Sequence, residues 1–298
     1  MKTVAESTPN YQIHDTPRCC CHTSRRRFLI SSTGAAVGAA LIPGISFAQS
    51  VRADPALDIA LLNDIVSANQ ILAHEGVLDA YGHVSVRDPR NPNRFWMSRS
   101  VAPAQVTAED IMEYDLDCNP LDARGRVSYY ERWIHGETYK ARPDVHCVVH
   151  SHSPTVIPFS VTNVPLQPLL QQASFLALGA PVYDNRPFLA NSDLMIGQQF
   201  LGREMAKKLG PTSAVLLLRG HGDVVVAPSI RLAVFRAYYT EINARAQEQA
   251  IALGGKDVTY MTPEEGAAAE KLTESPPSVN RSWQLWKQEI PGQSVDSP

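Results

Sequence analysis

Val145-His146-Cys147-Val148-Val149-His150-Ser151-His152-Ser153-Pro154 is the stretch from which the rest of the chain is read. Val145 to His150 is short and apolar, so it reads as a buried strand that delivers its end to Ser151 and His152. On extended backbone alternate side chains share a face, so the two imidazoles of His150 and His152 converge on one point. A metal ion needs such convergence, and so does a hydrogen-bonded structural pair. Taken alone, the His-x-His pair fits both equally.

Upstream of this strand, Tyr130 to Arg142 is helical in pattern and stops before Pro143, which excludes the helical region for the residue it follows. The helix begins with Glu131, and His135 follows one turn later as a packed or supporting residue. His146 lies about 13 Å from His150 at strand rise, too far to join it. Downstream, Ser153-Pro154 can open a helix. Met195 to Leu209 reads as a helix ended by Gly210, Ala214 to Leu218 as a buried strand and Val224 to Ala227 as its hairpin partner. Arg219-Gly220-His221-Gly222 lies at the join, where glycine permits a tight turn and close backbone approach. Ile230 to Leu253 is a long helix closed by Gly254-Gly255.

Before the central stretch, Asp54-Pro55 caps a helix whose Leu57, Leu61, Leu62, Ile65, Val66 and Leu72 recur at helical spacing up to Gly76, with His74 on its surface. His83 to Arg87 alternates, a Pro/Asn turn follows, and Arg94 to Ser98 completes a hairpin. Glu109 to Asp115 reads as a third strand. Hairpins mixed with helices predict an α/β fold: a single three-layer α/β/α domain around a mainly antiparallel central sheet, spanning residues 49–260. Residues 261–298 read as a loosely attached tail with one short helix, packed by Trp283 and Trp286 onto the body or a neighbour.

The chain of 298 residues is 44% apolar and 19% charged, enough to bury a large core, which excludes disorder and coiled coil. Lys plus Arg (27) against Asp plus Glu (30) gives −3 with no long block of one sign, so the footprint of a nucleic-acid binder is missing. Ser24-Arg25-Arg26-Arg27-Phe28-Leu29, an apolar run to Ile45 and Ser46-Phe47-Ala48 read as a twin-arginine signal peptide cleaved after Ala48, which predicts a periplasmic protein. The run is too short to span a membrane, so no membrane partner is expected after cleavage. Removal of residues 1–48 leaves 22 basic against 28 acidic residues, a net charge of −6. Cys19, Cys20 and Cys21 leave with the leader, and Cys118 and Cys147 remain, free to pair or not in an oxidising compartment.

Four blocks of the mature chain resemble the class II aldolase/adducin family, typified by fuculose phosphate aldolase: Gly82-His83-Val84-Ser85-Val86-Arg87, Glu131 with Arg142-Pro143-Asp144, His150-Ser151-His152, and Gly220-His221-Gly222. The resemblance covers about Leu57 to Gly254. It implies that His150, His152 and His221 hold one divalent metal ion per chain, zinc first and manganese or iron(II) as alternatives, with Glu131 as the catalytic proton-transfer residue. It also implies a homo-oligomer, commonly a tetramer with the site at a subunit interface. Adducin-like members have lost ligands that this chain keeps.

Where the family's aldolases hold phosphate with Asn, Thr-Gly and Ser-Ser, this chain has His83, Ser100-Val101 and Tyr129-Tyr130, a bulkier and more apolar set. Met97-Ser98-Arg99-Ser100 and Arg219 supply guanidinium groups, which hold planar carboxylates bidentately. Together with Glu131-Arg132-Trp133-Ile134-His135-Gly136-Glu137, these segments resemble the branch that decarboxylates hydroxy-aromatic dicarboxylates. The reading is therefore a metal-dependent carbon-carbon lyase acting on a small carboxylate, a hydroxylated aromatic or heteroaromatic (di)carboxylate. Arg99, Ser98, His83 and Tyr130 are its substrate-binding candidates. An aldolase for a non-phosphorylated hydroxy-carbonyl compound and a non-catalytic adducin-like module are the alternatives.

Overall fold

The Pro/Asn turn closes the first hairpin through Asp88, whose carboxylate accepts the Arg90 N–H at 2.8 Å while its own N–H donates to the Arg94 carbonyl at 2.9 Å. In the computed structural model, which describes residues 55–292, this turn sets β1 (His83–Arg87) antiparallel to β2 (Arg94–Ser98), with Ser85 opposite Met97. Helix α1 (Pro55–His74) precedes them and ends before Gly76. Its expected cap, Asp54, and the whole of the expected signal peptide at 1–48 lie outside the described residues.

Strand β3 (Ile111–Asp115) pairs with the free side of β2. It starts two residues later than the pattern predicts, because Ala108–Asp110 form a 3-10 turn whose Asp110 carboxylate takes the Thr107 N–H at 2.9 Å. Helix α2 (Trp133–Ala141) and β4 (Cys147–Ser151) follow, then α3 (Ile157–Val161), β5 (Val182–Tyr183), α4 (Gln199–Leu209), β6 (Val215–Leu218), β7 (Gly222–Ala227) and α5 (Ile230–Gly254). The seven strands form one sheet in the order β3-β2-β1-β4-β7-β6-β5, antiparallel at every pair except β5 with β6. Helix α4 begins at Gln199 rather than Met195: the Ile196 N–H is taken by the Glu131 carboxylate at 2.7 Å, and Gln198 caps the helix in extended backbone.

Two cores lie on the two faces of this sheet, which is why the inner strands read as continuous apolar runs. Val84, Cys147, Val149, Val215 and Val225 pack under α1 and α5, whereas Val148, Leu216, Val224 and Val226 pack against α2 and α4. The period of two therefore sends His150, like Val148, toward the α2 layer, where Glu131 lies in the turn just before Trp133 and not in the first turn of the helix as its pattern predicts. It also separates the two cysteines: Cys147 lies in the first core and Cys118 in the second, and both are free thiols.

The C-terminal segment corrects the expectation of a loose tail with one helix. It forms α6 (Pro263–Thr273) and α7 (Pro276–Glu289), and α6 starts with a reciprocal cap between Thr262 and Glu265. Val279, Trp283, Trp286 and Ile290 recur at helical spacing and bury α7 in the α1/α5 core, with Trp283 fully enclosed. Arg236 of α5 grips Glu274 through two hydrogen bonds of 2.6 and 2.7 Å. Among the described residues no helix is long and apolar enough to cross a membrane.

Candidate metal centre

Backbone close to the end of β4 brings the three histidines together. His150 stands opposite Val224 and Ser151 opposite Asp223 in the β4–β7 register. Gly222 opens β7, and a Cβ there would lie 1.9 Å from the Ser151 carbonyl oxygen, so only glycine lets β7 pass this near to β4. Gly220, at φ +64°, turns the chain just before it, and His221 is set beside His152.

His150 Nε2 lies 3.2 Å from His152 Nε2, which lies 3.0 Å from His221 Nε2. Glu131 Oε2 is 3.6 Å from His150 Nε2 and 3.4 Å from His221 Nε2. One ligand atom from each of the four residues lies within 4.8 Å of every other. The Nδ1–H of His150 donates to the Asp223 carbonyl at 2.8 Å, which leaves its Nε2 as a bare lone pair aimed at the other two rings. Lone pairs and a carboxylate packed this closely repel unless a cation lies among them, and a carbonyl partner on the far nitrogen is the usual support of a ligating imidazole. The donor set of three imidazoles and one carboxylate suits zinc and also accepts manganese or iron(II).

Charge in the site follows from the same contacts. Burial favours the neutral acid of Glu131, but the adjoining imidazoles of His150 and His221 outweigh it and hold the carboxyl well below its ordinary range, so it is ionised. Burial pushes His152 down to about 4, helped by its two histidine neighbours. Around the ligands, Ser151 donates to the Asp223 carboxylate and Ser153 to Glu241, so the strand end is braced on both sides.

Glu131 and His152 open onto a cavity of about 320 Å³ whose walls include Tyr81, Val101, Tyr129, Tyr130 and Met195. The Tyr129 hydroxyl donates to the Val101 carbonyl, which fixes that wall. Tyr130 is half exposed at the mouth, and the Tyr81 ring is 5.9 Å from that of His152. His83 lines the cavity with its ring 4.4 Å from that of Tyr129. Behind it runs a buried chain: His83 Nδ1 to His135 Nε2 at 2.6 Å, His135 Nδ1 to Ser85 Oγ at 2.6 Å, and Ser85 Oγ to the Tyr139 hydroxyl at 2.7 Å. Burial, and then the neighbouring His150, push His135 down to about 3, and burial with His135 lowers His83 as well.

His83, Tyr130, Glu131 and His152 are thus gathered at one cavity, with His150 and His221 grouped behind Glu131 and His152, and two sequence candidates are not there. Arg99 points to Asp110, its Nε 2.6 Å from the carboxylate, and is not part of the cavity wall. The turn that delays β3 places that carboxylate there. Ser98 is fully buried at the end of β2 and does not reach the cavity either. Arg219 lies 3.0 Å from Asp184. Sequence reasoning missed the support given by Ser85, Tyr139, Asp223 and the Ile196 N–H. Glu131, His135 and Tyr139 at four-residue intervals were the available signal for the Tyr139 arm.

Residues 63–248 match the family described as Class II Aldolase and Adducin N-terminal domain. Decarboxylase tropJ of Talaromyces stipitatus is 37% identical over 246 residues, covering 76% of this chain and 92% of that protein. The 3,4-dihydroxyphthalate decarboxylase of Arthrobacter keyseri is 30% identical over 207 residues, 64% of this chain and 79% of that protein. Among solved structures, L-fuculose 1-phosphate aldolase from Glaciozyma antarctica superposes with a TM-score of 0.66 at 22% identity, covering 81% of this chain and 94% of that one, a likeness of fold.

Proposed function

Since the chain belongs to the class II aldolase and adducin family, we propose that it is a metal-dependent decarboxylase of a hydroxylated aromatic or heteroaromatic carboxylic acid. It is an enzyme, a lyase, and its two decarboxylase relatives favour loss of CO₂ over aldol cleavage. The observation that carries the reading is the wall of the cavity. Three tyrosines, a valine and a methionine line the cavity beside His152 and Glu131, and among the described lining residues there is no lysine or arginine to receive a phosphate or a second carboxylate.

His150, His152 and His221 would hold a divalent ion, zinc by preference, with Glu131 beside it. Such an ion supplies Lewis acidity toward a carboxylate and the hydroxyl next to it, drawing charge out of the ring. The chain's own residues do the rest. Tyr81, Tyr129 and Tyr130 flank an aromatic ring and exclude water from it. Glu131 starts ionised, so it acts first as a base and takes the hydroxyl proton. It then returns that proton to the ring carbon as the bond to the carboxyl carbon breaks and CO₂ leaves, and the phenolate product regains a proton from solvent. The Ile196 N–H keeps the Glu131 carboxylate in place between these two transfers.

The leader motif Arg25-Arg26-Arg27 supports export of the folded enzyme to the periplasm with its metal already bound, and the family resemblance supports a homotetramer. Residues 49–260 are then the catalytic domain. The test is elemental analysis of the purified protein together with CO₂ release from a panel of hydroxy-aromatic acids. About one divalent ion per chain and CO₂ from at least one acid are expected. His152→Ala should lose both metal and turnover, and Glu131→Gln should keep its metal while turnover falls by roughly 10²- to 10⁴-fold. A metal-free protein, or an aldehyde product in place of CO₂, overturns the reading.

A further inference from the structure

We propose that His83 presents a fixed Nε2–H donor to a substrate oxygen, its tautomer set from behind by Tyr139, Ser85 and His135. The proposal rests on the cavity being the substrate site. It concerns a residue that touches substrate without holding metal.

The direction of the buried chain follows from counting hydrogens. Ser85, His135 and Tyr139 are essentially inaccessible to solvent, so each polar hydrogen among them needs an acceptor within the chain. A neutral imidazole carries one N–H. If Tyr139 donates to Ser85, then Ser85 donates to His135 Nδ1, His135 Nε2–H donates to His83 Nδ1, and His83 carries its own hydrogen on Nε2. Every hydrogen inside the protein is then used. In the opposite direction, His83 Nδ1–H donates inward, His135 donates to Ser85, and Ser85 donates to Tyr139. The Tyr139 hydroxyl hydrogen is then left over, and among the described residues Ser85 is the acceptor within its reach. An unsatisfied buried donor is the less favourable state, so the first direction prevails.

The consequence appears at the cavity. His83 is one of its walls, its Nδ1 is occupied by His135, and its ring lies 5.1 Å from that of His150. Nε2, on the opposite edge of the ring, takes no partner among the described side chains. The cavity therefore receives a neutral N–H that cannot turn into an acceptor without rearranging four buried groups. Such a donor stabilises negative charge that develops on a hydroxyl or carboxyl oxygen as the bond to CO₂ breaks, and it needs no reorganisation at that moment. It also discriminates: an oxygen acceptor satisfies it, and an apolar ring substituent leaves it unpaired.

Two measurements on the zinc-loaded protein test this. Long-range ¹H–¹⁵N NMR with labelled histidine, with the His83 signal assigned by its loss in His83→Phe or His83→Gln, should show a protonated Nε2 and a bare Nδ1. Saturation with 2-hydroxybenzoate should move the Nε2 proton downfield. This readout stands even if no tested acid is decarboxylated, so it separates the donor assignment from the reaction assigned above. On an acid that is decarboxylated, His83→Phe should lower kcat by about 10²-fold, as loss of one such donor does elsewhere, with metal content unchanged. His83→Gln, whose amide reaches the place of Nε2, should recover at least about tenfold of that. A protonated Nδ1, an unmoved Nε2 proton at saturation, or a His83→Phe turnover within about threefold of wild type overturns the proposal.

Discussion

Gly222→Ala tests the claim that backbone proximity, and not side-chain choice alone, assembles the proposed metal site. A Cβ at this position would meet the Ser151 carbonyl oxygen at 1.9 Å, the Ser151 carbonyl carbon at 2.9 Å and the His152 Cα at 3.1 Å. All three are backbone atoms and cannot swing aside. Raising the first distance to the 3.0 Å below which Cβ contacts are essentially never seen moves β7 from β4 by about 1 Å. His221 sits one residue before Gly222 and His152 one residue after Ser151, so the displacement falls between two of the proposed ligands, whose Nε2 atoms are now 3.0 Å apart. Metal–nitrogen bonds tolerate deviations of about 0.2 Å, several times less than this. Metal content measured by elemental analysis should therefore fall more than about tenfold, and turnover with it. Overpacking of the sheet should cost about 1–3 kcal/mol, seen as a thermal midpoint lowered by a few to about ten degrees. Gly254→Ala is the control, because its Cβ meets only Val258 Cγ2 at 3.9 Å and should leave metal and turnover unchanged. Full metal occupancy and wild-type turnover in Gly222→Ala would refute the reasoning.

Three further outcomes follow from the packing and the buried charges. Arg99→Lys should alter the affinity of a dicarboxylate and of its monocarboxylate analogue by the same factor, because Arg99 is engaged by Asp110 outside the cavity; a loss confined to the dicarboxylate in a calorimetric titration would return Arg99 to the site. Trp283→Ala empties the fully enclosed centre of the α7 interface and should cost about 3–5 kcal/mol in urea unfolding, whereas an unchanged midpoint would mean that the C-terminal helices are dispensable. His135 is depressed to about 3 from 6.5, so below pH 6.5 the unfolded chain takes up a proton that the folded chain refuses and stability is lost as pH falls. Urea midpoints should show the stability advantage of wild type over His135→Asn shrinking by up to about 1.4 kcal/mol per pH unit between pH 6.5 and 5, and a pH-independent gap would contradict the buried neutral state.

The features legible in the sequence are those set by local period. Val145 to His150 reads as a strand because a strand covered on both faces is apolar throughout, and the alternation at its end puts His150 and His152 together. The hairpins are legible through their turn residues, and α5 through its length and its closing glycines. What escapes is set by pairing over distance. Asp110 captures Arg99 only after a 3-10 turn folds it back across the end of β2, and the four residues Thr107 to Asp110 carry no apolar pattern that announces the turn. The chain behind His83 joins residues 52 and 50 positions apart, so neither partner predicts the other. Trp283 marks the C-terminal segment as having something to bury, but the place it fills is built by α1 and α5.

Charge in the cavity bears on which acid it takes. Glu131 is ionised, His83, His135 and His152 are neutral at pH 7, and Arg99 and Arg219 are committed to Asp110 and Asp184. A divalent ion on the triad would therefore leave the described lining with a net charge of about +1. A monocarboxylate cancels that charge, whereas a dicarboxylate would leave one negative charge against tyrosine, valine and methionine with no counterion, a placement that costs several kcal/mol unless the charge reaches solvent. The lining meets solvent beside the exposed Tyr81 and the half-exposed Tyr130. A second carboxyl group is thus tolerated only on the ring edge that points outward there. Among isomeric hydroxy-aromatic dicarboxylates, turnover should depend on the position of the second carboxyl group, and equal rates across all isomers would mean that an additional cation enters the site.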